Sequence, residues 1–378
     1  MGRVAGQHLS AEERQRIKEA ITRHRASGGT ATSAARELGI RECTVQKIAR
    51  EMDRDPAIAT GMEAIGTGIV PTGMWVKTPK DENGFSHSVY LRPQQEATED
   101  VLERIKTAFE GIEPAKAIAA PEAVMADLCT TYGIADAHVG LRSWSKETGS
   151  DYDTDIAAER IKDWVAQCVA ASPASHTGII MDVGDYTHQN DDTNQTPRSK
   201  HVLDVDTRMF RTLDVGISAL GAAIETALTK HQEVHVVILP GNHNPTVYLS
   251  VMFALAERYR NEPRVIVHKK PGEFFLYEFG KVMIAAHHGD KAKADRLVHF
   301  VADEFAEAWG RTKHRFLFTG HLHHHKSQDI GGMKWEQLRA VTERDAYAVS
   351  RAYSARAQLS AITYHRDRGE VQRVSVNA

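Results

Sequence analysis

The chain has 378 residues, of which 42% are apolar and 26% charged, and its formal net charge is −3. Such a composition belongs to a folded globular protein of two or three domains with a sizeable core, and it excludes disordered, collagen-like and coiled-coil classes. The near-neutral charge also excludes a chain that coats nucleic acid over its whole surface, so any DNA contact must come from local basic patches.

Residues 1–54 read as three short helices. Ser10 and Glu13 form a capping-box pattern ahead of a face carrying Ile17, Ala20 and Ile21. Gly28 and Gly29 stop that helix. Thr32 or Ser33 caps a second helix that runs from Ala34 to Leu38 and ends at Gly39. A third is expected from Cys43 to Met52. Ala35, Leu38, Ile40, Val45 and Ile48 are spaced to close a small core. Residues 55–120 form a linker with two features: a hairpin signal, Trp75–Thr78 and Ser88–Leu91 around a polar turn at 81–84, and an amphipathic helix over 94–112. From 121 to 378 the pattern changes. Apolar runs at 128–135, 178–183, 234–239, 264–268, 281–286 and 315–319 alternate with helical stretches at 155–171, 201–230, 247–260 and 291–309. That alternation predicts an α/β domain.

Three cysteines, Cys43, Cys129 and Cys168, lie far apart and offer neither a disulfide framework nor a metal knuckle. A reducing, cytoplasmic setting is the simpler reading. The first residues have no signal-peptide core, and no run reaches the ~18–20 apolar residues of a membrane span, so no membrane partner is expected. The 20 histidines outnumber the 10 tyrosines and the 11 phenylalanines, which raises a metal question.

Five polar clusters follow five of the apolar runs: Asp136-Ala137-His138, Gly184-Asp185, Gly241-Asn242-His243, His287-His288-Gly289 and Gly320-His321-Leu322-His323. Strand ends are where α/β proteins gather their sites. Carboxylate, carboxamide and imidazole are metal-ligand types. Strand alternation would aim Asp136 and His138 at one ion, and likewise His321 and His323. Taken singly, each cluster is also a common turn or a satisfied core histidine. The ordered set of five is what carries weight.

In that order the five clusters resemble the calcineurin-like metallophosphoesterase family, whose motifs run D-x-H, G-D, G-N-H, H and G-H-x-H. The resemblance implies a β-sandwich flanked by helices, with two divalent metal ions at one edge. It assigns one ion to Asp136, His138, Asp185 and His323, and the second to Asp185, Asn242, His288 and His321. His288 is preferred over His287 because the family histidine usually precedes a glycine. His243 would not ligate but would serve as acid or phosphate stabiliser. Two cations neutralise phosphate charge and make hydroxide available near neutral pH. Mn²⁺ is the expected metal, with Fe or Zn²⁺ as alternatives.

The substrate is read from departures. Protein phosphatases of this superfamily carry an arginine soon after the G-D aspartate; here the stretch is GDYTHQNDD, with no arginine before Arg198. His188 is instead similar in position to a DNA-placing histidine of the nuclease branch, although a solvated loop histidine is the alternative. The segment TATSAARELGIRECTVQKI resembles the helix-turn-helix of resolvases, and the whole architecture resembles proteins found in bacteriophage genomes. Its third helix would offer Arg41, Thr44, Gln46, Lys47 and Arg50 to a DNA groove. Residues 1–54 hold eleven basic against seven acidic side chains, which suits phosphate contact. The rival for this module is packing or homo-oligomerisation. Residues 331–378 interleave Tyr353, Arg356, Tyr364, Arg366 and Arg368, either as a strand-binding groove or, the preferred reading, as a sheet edge with a solvated face. The expected function is therefore a two-metal phosphodiesterase acting on DNA. The rivals are a small-molecule phosphodiesterase, such as one for cyclic nucleotides, and a DNA-binding protein with a structural phosphoesterase fold.

Overall fold

The structure is a computed structural model that describes residues 11–26, 30–52, 74–77, 88–91 and 114–378. The chain divides into two units, Met1–Glu103 and Arg104–Ala378. The helix expected over 94–112 and the turn at 81–84 lie outside the described residues.

The first unit holds helices α1 (Ala11–Ala26), α2 (Ala31–Leu38) and α3 (Glu42–Met52). α2 starts earlier than Ala34 because Thr30 caps it: its hydroxyl accepts from Ser33 N–H, and Ser33 reciprocates in a capping box. Gly39 ends α2 at φ 64°, a left-handed cap that glycine adopts without Cβ strain. Ile17, Ala20, Ile21, Ala34, Ala35, Val45 and Ile48 are buried together, with Leu38 and Ile40 packed against them. The hairpin pairs β1 (Met74–Lys77) with β2 (Ser88–Leu91), antiparallel.

The second unit is mixed α/β. Its strands are β3 (Met125–Ile134), β4 (Ser175–Asp182), β5 (Glu233–Ile238), β6 (Val265–Val267), β7 (Phe275–Phe279), β8 (Val282–Ala286), β9 (His314–Thr319), β10 (Lys326–Ile330), β11 (Met333–Gln337), β12 (Gln358–His365) and β13 (Gly369–Asn377). Its helices are α4 (Ser145–Thr148), α5 (Thr154–Ala171), α6 (Met209–Leu228), α7 (Tyr248–Arg258), α8 (Ala294–Glu304), α9 (Ala306–Arg311) and α10 (Ala346–Ser350). One sheet has the order β13-β12-β3-β4-β5-β6 and the other β10-β11-β9-β8-β7. β3 to β6 are parallel, as are β8, β9 and β11. Ile179, Met181 and Val237 of the first sheet pack against Ile284, Phe316 and Phe318 of the second, which makes a sandwich interior. The other face of the first sheet buries against α5, α6 and α7, and that of the second against α8 and α9. Both faces are covered, so the parallel strands are nearly continuous apolar runs. This is why the sequence announces them.

The parallel strands finish in step. Ile134 lies beside Asp182, and Asp182 beside Ile238. In the other sheet Ala286 lies beside Phe318, and Thr319 beside Gln337. The loops that follow therefore leave from one carboxyl edge. The helix expected over 201–230 begins only at Met209, because residues 201–208 make isolated bridges to the loop after β3 (Leu141 with Val205) and to Gln195. Tyr364 is fully buried against Phe316, so it does not share a groove with Tyr353; β13 is the sheet edge. Among the described residues, no helix is long and apolar enough to cross a membrane.

Candidate metal centre

The loop after β3 carries Asp136 and His138, and the loop after β4 carries Asp185. The loop after β5 supplies Asn242 and His243, the loop after β8 supplies His287 and His288, and the loop after β9 supplies His321 and His323. They converge without strand alternation. Asp136, His138, Asp185, His321 and His323 all take positive φ, between 44° and 74°, and they are five of the eight non-glycine residues that do so among the described residues. Each such residue costs on the order of 1–3 kcal/mol, and that strain clusters where function over-determines geometry. Left-handed turns at the strand ends, not extended backbone, aim these side chains. Backbone bonds hold the turns: Asp136 N–H donates to Gly184 O at 3.2 Å, and His138 N–H to Asp185 O at 3.0 Å.

Two compact donor groups result. Asp136, His138 and His323 bring one ligand atom each within 4.8 Å of one another, and so do Asp185, His288 and His321. In the second group, His288 Nδ1 donates to Val183 O at 3.0 Å. That fixes the tautomer and turns Nε2 toward Asp185 Oδ2 at 3.0 Å and Asn242 Oδ1 at 3.2 Å. A backbone carbonyl on the far nitrogen is how ligating histidines are oriented. In the first group, His138 Nε2 faces His323 Nε2 at 3.2 Å, and His323 Nε2 lies 3.5 Å from Asp136 Oδ1. Asp136 also accepts His321 N–H, at 3.0 and 2.9 Å to its two oxygens. Converging imidazole nitrogens and buried carboxylates are ligand types for a divalent cation, and the nitrogen and oxygen donor set fits one in each group. His287 turns elsewhere: its Nδ1 accepts from Gly289 N–H at 2.8 Å, and its Nε2 sits 3.4 Å from Glu273.

The electrostatics agree with the geometry. Burial alone would raise the Asp185 carboxyl, but His288 and His243 outweigh it and hold it well below the ordinary range. Burial would lower His288, yet Asp185 carries it up to about 10. A cation bound there would compete with the proton for the Nε2 and carboxylate lone pairs. Burial, reinforced by the His243 imidazole, keeps His138 well below its usual value, so it is neutral and fit to ligate.

Three imidazoles form a third cluster, His138, His188 and His243. His188 is buried, only 2% exposed, and does not stand at the surface. Its Nδ1 lies 3.1 Å from His138 Nδ1, its ring stacks on His243 at 5.1 Å, and its Nε2 has no hydrogen-bond partner. His243 Nδ1 donates to His188 O at 2.7 Å, which leaves Nε2 for other work. Of the residues assigned to DNA, Arg41 is exposed and Thr44 is half-buried; Gln46 donates to Glu42 at 2.8 Å. The side chains of Lys47 and Arg50 lie outside the described residues.

Two further residues belong to the site. Asp182, the last residue of β4, is fully buried; it accepts Gly184 N–H at 3.1 Å, and burial pushes its carboxyl well above the usual range. Its sequence signal is a carboxylate closing the apolar run Gly178–Met181. Asn244 accepts Gly241 N–H at 2.8 Å and so shapes the turn that carries Asn242 and His243.

No protein-family model matches the chain, and no curated protein matches it. Solved structures do. An archaeal phosphodiesterase aligns at 9% identity with a TM-score of 0.36, over 66% of this chain and 99% of its own. Zn²⁺-complexed Vps29 from Entamoeba histolytica aligns at 13% identity and 0.27, over 66% of this chain and 98% of its own. A predicted phosphoesterase from Streptococcus pneumoniae aligns at 11% identity and 0.28, over 68% of this chain and 100% of its own.

Proposed function

We propose that the chain is a two-metal-dependent phosphodiesterase that acts on DNA. One observation carries this reading: two adjacent donor groups, built on strained loops at one carboxyl edge, with Asp185 and Asp136 buried inside them. Asp136, His138, Asp185 and His323 would hold one ion. Asp185, Asn242, His288 and His321 would hold the other. Divalent cations there supply positive charge for a phosphoryl group and lower the pKa of nearby water.

The chain's own residues do the rest. His243 is half-exposed at the rim, and its Nδ1–H is committed to His188 O. Its Nε2 is the atom that gives a proton to the leaving oxygen or steadies phosphate charge. His188 holds the His138 ring from behind through the Nδ1 contact, and so sets which nitrogen His138 presents. Beneath them, burial pushes the Asp182 carboxyl well above the usual range, which disfavours a third negative charge beside Asp136 and Asp185. The absence of an arginine between Asp185 and Arg198 favours a diester over a protein phosphomonoester. The basic excess of residues 1–54, with exposed Arg41 before α3, supports DNA as the polymer.

The test is hydrolysis by purified protein with Mn²⁺ of end-labelled single- and double-stranded DNA beside bis-p-nitrophenyl phosphate, with Asp185→Ala as blank. DNA cleavage that vanishes in the variant is the expected result. Cleavage of the small diester alone would refute DNA as the substrate.

A further inference from the structure

Ten large apolar side chains are exposed among the described residues, and six lie in the loops of the carboxyl edge or at their ends: Trp144, Val202, Phe210, Leu322, Tyr347 and Tyr353. They are not scattered as ordinary surface apolar residues are. Trp144 follows the ligand loop after β3. Val202 lies in the loop after β4, and Phe210 in the first turn of α6. Leu322 stands between His321 and His323. Tyr347 and Tyr353 belong to the connection from β11 to β12, which begins and ends at this edge.

These loops are bonded into one rim. Arg142 N–H donates to Asp204 O at 2.9 Å, and Ser143 Oγ to Arg344 O at 2.8 Å. The His201 and Tyr347 rings are 6.0 Å apart. Cations accompany the rings: Lys146 Nζ lies 5.5 Å over Trp144, and Arg351 lies 5.5 Å over Tyr347. Among the described residues, exposed Arg198, Arg351 and Arg356 make no ion pair with a carboxylate. Of the acids in these loops, Glu343 pairs with Arg160, Asp192 accepts Met209 N–H and Asp345 accepts Ala348 N–H, while Glu147 and Asp204 stand exposed. A rim of exposed aromatic rings, two of them with a cation over one face, and of guanidinium groups unpaired with carboxylates, around a phosphate-directed centre, matches one kind of polymer. Its bases must be unstacked and its phosphates accessible. A duplex keeps its base faces inside and has no use for open rings.

Resting on the phosphodiesterase reading, we propose that this rim binds single-stranded nucleic acid, with bases stacked on Trp144, Tyr347 and Tyr353 and phosphates on Arg198, Arg351 and Arg356. Leu322 offers an apolar surface to the nucleotide beside the donor groups.

The test measures binding of fluorescein-labelled oligothymidylate, of about 20 nucleotides, a span that covers one strand-binding site. The full chain is used in EDTA, with the corresponding duplex in parallel. Trp144→Ala, Tyr347→Ala and Tyr353→Ala are expected to weaken single-strand binding by roughly tenfold each, the loss of one stacked base. Duplex affinity and melting temperature stay unchanged, and Tyr347→Phe keeps the wild-type single-strand affinity. Variants that bind the single strand as tightly as wild type overturn the proposal, as does an equal loss on the duplex. Wild-type hydrolysis of bis-p-nitrophenyl phosphate with Mn²⁺ separates the two failures. If it proceeds, only the strand proposal falls; if the wild type cleaves no phosphodiester, the phosphodiesterase reading falls and the proposal with it.

Discussion

The six-stranded sheet buries histidines at both of its ends, and the two ends treat them differently. At the amino end, His231 has both ring nitrogens satisfied: Nδ1 meets Ser175 Oγ at 2.9 Å and Ser175 O at 3.0 Å, and Nε2 meets Tyr132 Oη at 2.7 Å. At the carboxyl end, His138 and His323 turn nitrogen to nitrogen, and His188 Nε2 has no partner. Buried polar groups are normally paired, so His231 is part of the architecture, whereas at the carboxyl end the imidazoles meet chiefly one another and His188 Nε2 is left without a partner. The backbone draws the same contrast. Left-handed residues crowd the carboxyl end, while Gly178 near the amino end matters only for space: a Cβ there would stand 2.5 Å from the His231 ring.

The largest effect tests the carboxyl end. Asp185→Asn should lower phosphodiester hydrolysis by on the order of 10³-fold, because several kcal/mol of charge stabilisation goes with the carboxylate. Metal-free melting temperature should change little. A large loss of stability with hydrolysis intact would reverse the roles assigned to the two ends.

Acid should strike both ends, since burial also lowers His138 and His188, and at the amino end the test falls on His231. Burial lowers His231 from 6.5 to about 4. The unfolded chain then binds a proton that the folded chain refuses, so stability is full above pH 6.5 and falls as pH drops toward 4. The loss reaches about 3 kcal/mol. Urea unfolding across that window checks it, and His231→Gln should flatten the slope by about that amount.

The smallest effect is Tyr132→Phe, which leaves the His231 nitrogen unpaired in the core and should cost about 1–3 kcal/mol with hydrolysis unchanged. Equal damage to hydrolysis would mean that the two ends are coupled.

The same contrast explains what the sequence disclosed. The strands β3, β4, β5, β8 and β9 are buried on both faces, so they stand out as apolar runs with polar residues at their ends. β10 is exposed except at Ile330, and β13 lies at the edge with mixed burial, so neither leaves a run to find. The donor residues could be named because their types are unusual after apolar runs. Their aim could not, because left-handed φ at Asp136 or His321 has no signature in composition. The burial of His188 was equally silent: GDYTHQNDD reads as a polar loop, yet Thr187, His188 and Gln189 are all buried. Asp182 was overlooked although a carboxylate directly after the apolar run Gly178–Met181 was its signal.

The proposed two-ion centre, in which Asp185 would serve both ions, makes a claim about stoichiometry. Calorimetric titration of metal-free protein with Mn²⁺ tests it most directly. The expected result is two ions per chain, with saturable binding abolished in Asp185→Asn. A single ion, no saturable binding, or two ions retained by the variant would contradict it.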